Sequence, residues 1–230
     1  MKVSVILNSY NRPKLIRLAV ESVQKQTYPH WELFIVDDNS NEDTKSVLAD
    51  LAKNEPKCTV IQSNVKEEDR SKTTRYATCI NMAIPQLTGD LVTYLTDDDI
   101  YYPDRFQQMV RVFVSNPDIY VVYGRQRLTG IDRGQTVELG IRSAVGVTRT
   151  PASHIDHCSV MHRKSCFNFV PRWNDDPLLW CAADSIFFTE LAEYYAFYPV
   201  DFITDEHRQH FDGVQAKLGH GVNPWEGNFE

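Results

Sequence analysis

Three adjacent aspartates, Asp97, Asp98 and Asp99, carry the most distinctive chemistry in this sequence. Neighbouring carboxylates repel one another unless a cation lies between them, and hard divalent ions such as Mn²⁺ or Mg²⁺ prefer oxygen ligands. A divalent ion held there could also bridge to a diphosphate. The alternative is a solvated acidic turn that caps the helix expected near Pro103, so the aspartates alone leave both interpretations open.

Two further polar clusters follow apolar runs nearer the N-terminus. Asn8, Ser9 and Tyr10 come directly after one short apolar run, and Asp37 and Asp38 come directly after the next. Asp38 could bond the backbone of its own turn or accept the N3–H of a uracil or thymine ring. Tyr10 could stack on that base or pack as an ordinary aromatic side chain. Neither residue decides between the two interpretations alone.

A basic segment containing Arg70, Lys72 and Arg75 lies near the start of a predicted helix. Cations at a helix N-terminus oppose the helix dipole, so they do not stabilise the helix. An external anion such as a diphosphate would account for their position. A solvated turn that balances the acidic residues 67–69 fits equally well.

The elements predicted to position these groups alternate between strand and helix. Short β-branched runs predict strands, and apolar residues at helical spacing predict helices. The predicted strands are residues 2–7, 33–36, 59–62, 91–95 and 119–123, and the predicted helices are residues 13–27, 43–52, 71–87, 103–114 and 184–193. Such alternation implies a parallel sheet covered on both faces, with ligands bound at the carboxyl ends of its strands. The polar clusters follow three of these strands, so they should converge on one crevice.

The length and composition fit a single domain whose two halves have different patterns. The chain has 230 residues, of which 42% are apolar and 11% aromatic, enough for a substantial core. We expect residues 1–100 to bind a nucleotide and residues 101–212 to form a catalytic and acceptor-side half. Residues 124–151 lack a clean period and predict loops and short strands, and residues 213–230 predict a flexible tail.

Composition and missing motifs disfavour several classes of function. A formal charge of −7 argues against nucleic acid as a partner. Because no apolar run approaches the roughly 20 residues that cross a bilayer, we expect no transmembrane segment. Five irregularly spaced cysteines predict thiols and a cytoplasmic protein. The fingerprints of dinucleotide-binding domains, P-loop enzymes and the hydrolase nucleophile elbow are absent.

Taken together, the motifs resemble those of inverting glycosyltransferases of family 2, which have the GT-A fold. The resemblance covers nearly the whole chain and rests on residues 3–6, 9–11, 32–35, 37–41, 72–77, 96–98, 100–101 and 155–163. It implies an α/β fold with a Rossmann-like, mostly parallel sheet flanked by helices and a C-terminal acceptor-side portion. It also implies a metal-dependent enzyme that moves a sugar from a pyrimidine nucleoside diphosphate, UDP or dTDP, to an acceptor hydroxyl in polysaccharide or glycan biosynthesis.

The resemblance implies a nucleotide site built from the polar clusters and the basic segment. Tyr10 and Asp38 would hold the pyrimidine, with Arg70 near the base or the phosphates. Asp97 would touch the ribose, and Asp98 would coordinate the Mn²⁺ or Mg²⁺ that bridges the diphosphate. The full set of expected nucleotide-binding residues is Asn8, Ser9, Tyr10, Asp38, Arg70, Arg75, Asp97 and Asp98.

The same resemblance places the metal ligands, and the sequence departs from the family pattern directly beside them. Asp97 and Asp98 would contribute carboxylates, and a C-terminal histidine often completes the shell. His207 and His210 are both candidates for that ligand. Asp99 stands where the family pattern has an asparagine, so this chain carries a third carboxylate beside the metal.

Catalysis is expected in the second half of the chain. Asp184 aligns with the family's catalytic base, and Asp156 and His157 would line the acceptor side. Asp184 would accept the proton of the acceptor hydroxyl during a single displacement with inversion. The metal and Arg70 or Arg75 would stabilise the charge that grows on the departing diphosphate.

Two other functions share part of this pattern. A sugar-1-phosphate nucleotidyltransferase also uses a nucleotide-binding sheet and acidic metal ligands, but it would normally show a glycine-rich loop after the first strand. Residues 8–13 occupy that place and contain no glycine. A nucleotide-sugar binding module without turnover is the alternative that is not an enzyme.

Overall fold

The computed structural model describes residues 1–132, 135–179 and 181–210, which form one mixed sheet flanked by helices. The strands are β1 (Val3–Ser9), β2 (Trp31–Asp37), β3 (Cys58–Gln62), β4 (Leu91–Thr96), β5 (Ile100–Tyr101), β6 (Val121–Asp132), β7 (Gln135–Arg142), β8 (Val160–Arg163) and β9 (Phe197–His210). The helices are α1 (Leu15–Gln24), α2 (Glu42–Asn54), α3 (Arg75–Ala83), α4 (Arg105–Ser115) and α5 (Ala183–Tyr194). The strand order is β3-β2-β1-β4-β8-β6-β9-β5, with β7 paired to β6. The predicted α/β fold class is confirmed.

Strands β1 to β4 form the parallel half of the sheet, as predicted. β1 pairs in parallel with β2 and β4, and β2 pairs in parallel with β3. Successive side chains enter two different apolar clusters, because neighbouring residues of a strand face opposite sides: Val5 joins one cluster and Ile6 the other. The register places Asn8 opposite both Val36 and Thr96, so the segments after β1, β2 and β4 emerge at the same edge.

The rest of the sheet contains mostly antiparallel pairs and corrects one prediction. β8 joins the two halves by pairing antiparallel with both β4 and β6. β6 also forms a long hairpin with β7 and pairs in parallel with β9. The prediction of loops and short strands over 124–151 is therefore wrong. Most residues of β7 are exposed, so this strand lacks the alternation of apolar and polar residues that signals a half-buried strand.

β9 was not predicted from the sequence, and α3 is shorter than the helix predicted there. β9 has Pro199 close to its start and few aliphatic residues, so its sequence does not predict a strand. In the structure it is paired along most of its length. The helix predicted over 71–87 is divided into a 3₁₀ turn at Glu67–Lys72, α3, and a second 3₁₀ turn at Ile84–Gln86. The α-helix ends at Ala83, and the chain continues as a 3₁₀ turn that contains Pro85, whose nitrogen carries no hydrogen to donate to the helical hydrogen-bond pattern.

Other expectations concern the ends of the chain and its helices. The flexible tail predicted over 213–230 lies outside the described residues. Among the described helices, none is both long and apolar enough to cross a membrane. The five cysteines are free thiols, and all except Cys181 are buried.

His162 on β8 is a fully buried histidine at the junction of the two halves. Its Nε2 lies 2.7 Å from the hydroxyl of Tyr94, and its Nδ1 lies 2.8 Å from the carbonyl oxygen of Arg163. Burial lowers the pKa of His162 from 6.5 to about 4, although the bond to the Arg163 carbonyl acts in the opposite direction. Because the folded-state pKa is depressed, the unfolded chain takes up a proton first as the pH falls below 6.5. Stability is therefore lost progressively between pH 6.5 and pH 4.

We expect His162→Gln to remove this acid sensitivity. Between pH 7 and pH 4 the free energy of unfolding of the original protein should fall by about 3 kcal/mol more than that of the variant. Urea denaturation at several pH values measures the difference. His30→Gln, at an exposed histidine, is the matched control. Parallel pH profiles for His162→Gln and the original protein would contradict the assignment.

Candidate active site

The polar segments after β1, β2 and β4 meet at one edge of the sheet. The backbone N–H of Tyr10 donates to Oδ2 of Asp97 at 2.9 Å. The backbone N–H of Asp38 donates to the carbonyl oxygen of Ser9 at 2.9 Å. These bonds tie all three segments together, which agrees with the predicted crevice at the carboxyl ends of the strands.

Asp38 is a buried carboxylate that binds two arginines. Arg70 donates to its Oδ2 at 2.8 Å, and Arg75 donates to the same oxygen at 3.1 Å and also contacts Oδ1. The hydroxyl of Ser63 donates to Oδ1 at 2.9 Å. The two arginines of the basic segment thus share an internal anion, a partner that the sequence did not indicate. Lys72 differs from them, because it pairs with Asp69 at the surface.

Tyr10 lies against the same pair of charges. The guanidinium carbon of Arg70 is 3.7 Å from the centre of the Tyr10 ring, within the range of a cation–π contact. The ring face that was expected to stack on a base therefore packs against Arg70. Beside it, Asn8 donates to the backbone carbonyl of Tyr76 at 3.2 Å. The side-chain oxygens of Asn8 and Ser9 are buried without a hydrogen-bond partner in the described part of the chain.

Asp97 and Asp98 share a cation that the sequence did not single out. Arg12 lies 3.3 Å from Oδ1 of Asp97 and contacts the carboxylate of Asp98. Burial raises the pKa of Asp97 above its usual range; Arg12 acts against this shift, and the neighbouring Asp98 adds to it. The guanidinium thus partly neutralises two carboxylates that would otherwise repel each other.

Asp99 belongs to a different group of side chains. It accepts the backbone N–H of Arg208 at 2.8 Å, and its Oδ2 lies 3.0 Å from Nδ1 of His207. Ligand atoms of Asp99, Asp156 and His207 all lie within 4.8 Å of one another. Burial would lower the pKa of His207, but the carboxylates of Asp99 and Asp156 outweigh it and raise this pKa to about 10. The two carboxylates therefore favour the protonated form of His207.

Asp156 is held in this group by a polar network. Gln126 on β6 donates to Oδ1 of Asp156 at 3.1 Å and to Asp205 on β9 at 2.5 Å. Asp205 in turn forms a fully buried ion pair with Arg105 at 2.8 Å. Burial alone would raise the pKa of Asp156, but nearby positive charges, His157 first among them, hold it below its usual range. The long strands β6 and β9 therefore position this carboxylate.

Asp184 lies in the first turn of α5, beside a histidine that faces two acids. Its Oδ1 accepts the backbone N–H of Ser185 at 2.7 Å, and its backbone N–H donates to the hydroxyl of Tyr76 at 3.2 Å. Nδ1 of His157 lies 3.8 Å from Oδ2 of Asp184 and 3.8 Å from Oδ2 of Asp156. Burial would lower the pKa of His157, but these carboxylates outweigh it and raise the pKa. The carboxylate of Asp184 remains 18% exposed, so it can reach a bound molecule.

The structure thus brings most of the expected site residues to one edge and adds others. The connected elements carry these side chains: Asp38 with its arginines, the three aspartates, Asp156, His157, Asp184 and His207. The side chain of His210 lies outside the described residues. Arg12 and Gln126 were not predicted from the sequence. Arg12 follows a strand-end cluster directly, which is a signal that could have identified it. Gln126 lies in β6 beyond the strand predicted over residues 119–123.

The chain matches one family model and a longer curated relative. Residues 4–166 match the model of glycosyl transferase family 2. The chain is 40% identical over 210 residues to Protein CgeD of Bacillus subtilis (strain 168), a match that covers 89% of this chain and 49% of that protein. The chain therefore spans about half the length of this relative.

Two solved structures share the fold. The first is Staphylococcus aureus TarS 1–349 in complex with UDP-GlcNAc, with a TM-score of 0.68, 19% identity, and coverage of 91% of this chain and 59% of that one. The second is the mannosyltransferase PcManGT from Pyrobaculum calidifontis in complex with GDP-Man and Mn²⁺, with a TM-score of 0.63, 18% identity, and coverage of 90% and 56%. At these identities the likeness shows the fold, and the family model covers most of the chain. The chain belongs to glycosyl transferase family 2.

Proposed function

We propose that this chain is a metal-dependent, inverting glycosyltransferase that uses a UDP- or dTDP-linked sugar and an acceptor hydroxyl in polysaccharide or glycan biosynthesis. One observation carries the proposal: a buried carboxylate paired with two arginines, a cluster of two carboxylates and an imidazole, and a partly exposed carboxylate at a helix N-terminus all lie near the same edge of the sheet. Family membership and the UDP-GlcNAc complex of TarS support it. A cytoplasmic location and a likeness of residues 155–163 to the spore-coat polysaccharide biosynthesis glycosyltransferase SpsA belong to the same proposal.

The donor nucleotide would bind between β1 and β2. Asp38 is positioned by two arginines and would accept the N3–H of the pyrimidine, the edge that uracil and thymine share. Tyr10 would pack beside the base, and Arg70, which stays paired with Asp38, would lie near the base or the phosphates. Asp97 would bond the ribose, and Arg75 would add positive charge near the diphosphate. Asn8 and Ser9 have buried oxygens without partners in the described residues, and they would complete the pocket.

The donor set near the three aspartates fits a divalent cation. Asp99, Asp156 and His207 offer two carboxylates and one imidazole within 4.8 Å of one another, a set that suits Mn²⁺ or Mg²⁺. Because the two carboxylates raise the pKa of His207, a metal that binds its imidazole would displace a proton. Asp98 and Asp97 remain proposed ligands on the donor side of the same edge. A bound metal would stabilise the negative charge of the leaving diphosphate.

Asp184 is proposed as the general base of the transfer. As the acceptor oxygen forms its bond to the anomeric carbon, the bond from that carbon to the diphosphate oxygen breaks and Asp184 takes the hydroxyl proton. The bonding electron pair leaves with the nucleoside diphosphate. Because the acceptor attacks from the face opposite this leaving group, the configuration at the anomeric carbon inverts. His157 lies beside Asp184 on the acceptor side, together with Asp156, and holds it in place by charge.

We expect UDP to stabilise the protein more strongly with Mn²⁺ than with EDTA. A ligand at 100 times its dissociation constant adds about 2.7 kcal/mol to the stability of the folded state. For a chain of this length that corresponds to a rise in melting temperature of roughly 5 °C or more. A thermal-shift panel of UDP, dTDP, GDP and ADP measures it. Equal stabilisation by all four nucleotides, or no effect of Mn²⁺, would contradict the proposal.

A second assay separates the proposed enzyme from its alternatives. A glycosyltransferase should slowly release UDP from a UDP-sugar in the presence of Mn²⁺, whereas an inactive binding module should bind without release. A sugar-1-phosphate nucleotidyltransferase should instead form the nucleotide sugar and pyrophosphate from a nucleoside triphosphate. The presence or absence of released UDP, and of nucleotide sugar with pyrophosphate, identifies which of the three functions the protein has.

A further inference from the structure

We propose that Arg12 is a built-in counter-ion of Asp97 and Asp98, and that a divalent cation must displace it before these carboxylates can bind metal. This inference rests on the proposed function, because it concerns the control of the same donor site. The guanidinium lies 3.3 Å from Oδ1 of Asp97 and contacts Oδ2 of Asp98. A metal ion bound to those oxygens would lie beside the guanidinium in its present place. The two positive charges would repel each other, so they compete for the same carboxylates.

The backbone around Arg12 is fixed, so its side chain is the part that can move. Asn11 adopts a left-handed conformation with φ of 54° and is bonded to the segment after β2 through Ser40 and Asn41, at 3.0 and 2.7 Å. The carbonyl oxygen of Arg12 accepts the N–H of Ile16 at 3.1 Å, at the start of α1. A displaced guanidinium would therefore stay tethered beside the crevice.

Exposure distinguishes Arg12 from the two arginines that bind Asp38. The side chain of Arg12 is 29% exposed, whereas those of Arg70 and Arg75, which bind Asp38, are 6% and 11% exposed. A half-buried guanidinium that loses its carboxylates can be solvated by water, but a fully buried one cannot. Of these three arginines, Arg12 is thus the one that a cation can displace.

Charge balance gives the displacement its direction. One guanidinium leaves the pair of carboxylates with a net charge of about −1, whereas a divalent ion neutralises both. Removing a competing positive charge at close range in a partly buried site should strengthen cation binding by about tenfold or more. The metal affinity of the protein is therefore set in part by a residue that is not a metal ligand.

The test is Mn²⁺ binding without nucleotide, measured by calorimetry and by the loss of the free-ion electron paramagnetic resonance signal. We expect Arg12→Gln to bind Mn²⁺ about tenfold more tightly than the original chain and Arg12→Lys, which keeps the charge, to resemble it. Arg17→Gln is the matched control, because Arg17 forms an exposed ion pair with Asp50 at 3.2 Å. Adding Asp98→Asn to Arg12→Gln should abolish the gain, which assigns it to this pair of carboxylates.

Each outcome decides the inference. Equal Mn²⁺ affinity in Arg12→Gln and the original chain, an equal gain in Arg17→Gln, or no Mn²⁺ binding by Arg12→Gln would each overturn it. A gain that survives Asp98→Asn would place the competition elsewhere and overturn it as well. UDP binding by the same variants tests the proposed function separately. If UDP did not bind, the competition between Arg12 and Mn²⁺ could still be measured.

Discussion

Asp184→Asn is expected to lower the turnover number by roughly 10²–10⁴-fold and to leave UDP binding unchanged. The amide cannot accept the proton of the acceptor hydroxyl, but it keeps the size of the carboxylate and the bond from the backbone N–H of Ser185. Release of UDP from a UDP-sugar, with a panel of sugar acceptors, measures turnover. Calorimetric titration with UDP and Mn²⁺ measures binding.

A matched control shows that the loss comes from the position of the carboxylate. Asp201 belongs to the same half of the chain, and its side chain is fully exposed. Asp201→Asn removes the same charge and should keep full turnover. If Asp184→Asn retained its turnover, Asp184 would have no part in the mechanism, and the proposed base would have to be sought elsewhere.

Asp38→Asn is expected to lower both the stability of the protein and its affinity for UDP. The carboxylate is 4% exposed and is the shared partner of Arg70 and Arg75, so its loss leaves two buried guanidinium groups without their counter-charge. Breaking a buried pair in this way typically costs about 3–5 kcal/mol in the free energy of unfolding. Urea denaturation measures that loss, and calorimetry with UDP measures the loss of affinity.

The control for this variant is an exposed carboxylate with a similar partner. Asp50 on α2 pairs with Arg17 and is 52% exposed. Ion pairs at the surface contribute about 0–1 kcal/mol, so Asp50→Asn should unfold almost like the original protein. A similarly small effect for Asp38→Asn would show that the two arginines find other partners, and the assignment of Asp38 as an anchor for the site would fail.

The parallel half of the fold could be predicted because its elements carry strong local patterns. Strands such as β1 and β4 are buried on both faces, so they appear as short, continuous apolar runs. α1 has its apolar residues at helical spacing on one side. The β6–β7 hairpin and β9 could not be recognised in this way. β9 pairs with β5 and β6, which are distant in sequence, and a largely exposed strand such as β7 needs no apolar alternation.

The candidate site could be predicted at the level of strand ends but not at the level of contacts. The position of Asp97, Asp98 and Asp99 after a buried strand indicated a shared crevice. Sequence spacing does not show which way each carboxylate faces, so it could not separate Asp99, which joins His207, from the pair that binds Arg12. Such partners depend on side-chain direction and on strands that meet only in the folded chain.

The junction between the two halves of the sheet has an evolutionary consequence. β4 and β8 pair through only three residue positions, beginning with Leu91 and Arg163. Changes in the β6–β7 hairpin can therefore accumulate without altering the register of the parallel strands, whose carboxyl ends carry the proposed nucleotide site. Under the proposed function, a lineage could inherit the parallel half almost unchanged while the other half diversifies, so its members would share the sugar donor and differ in what they glycosylate.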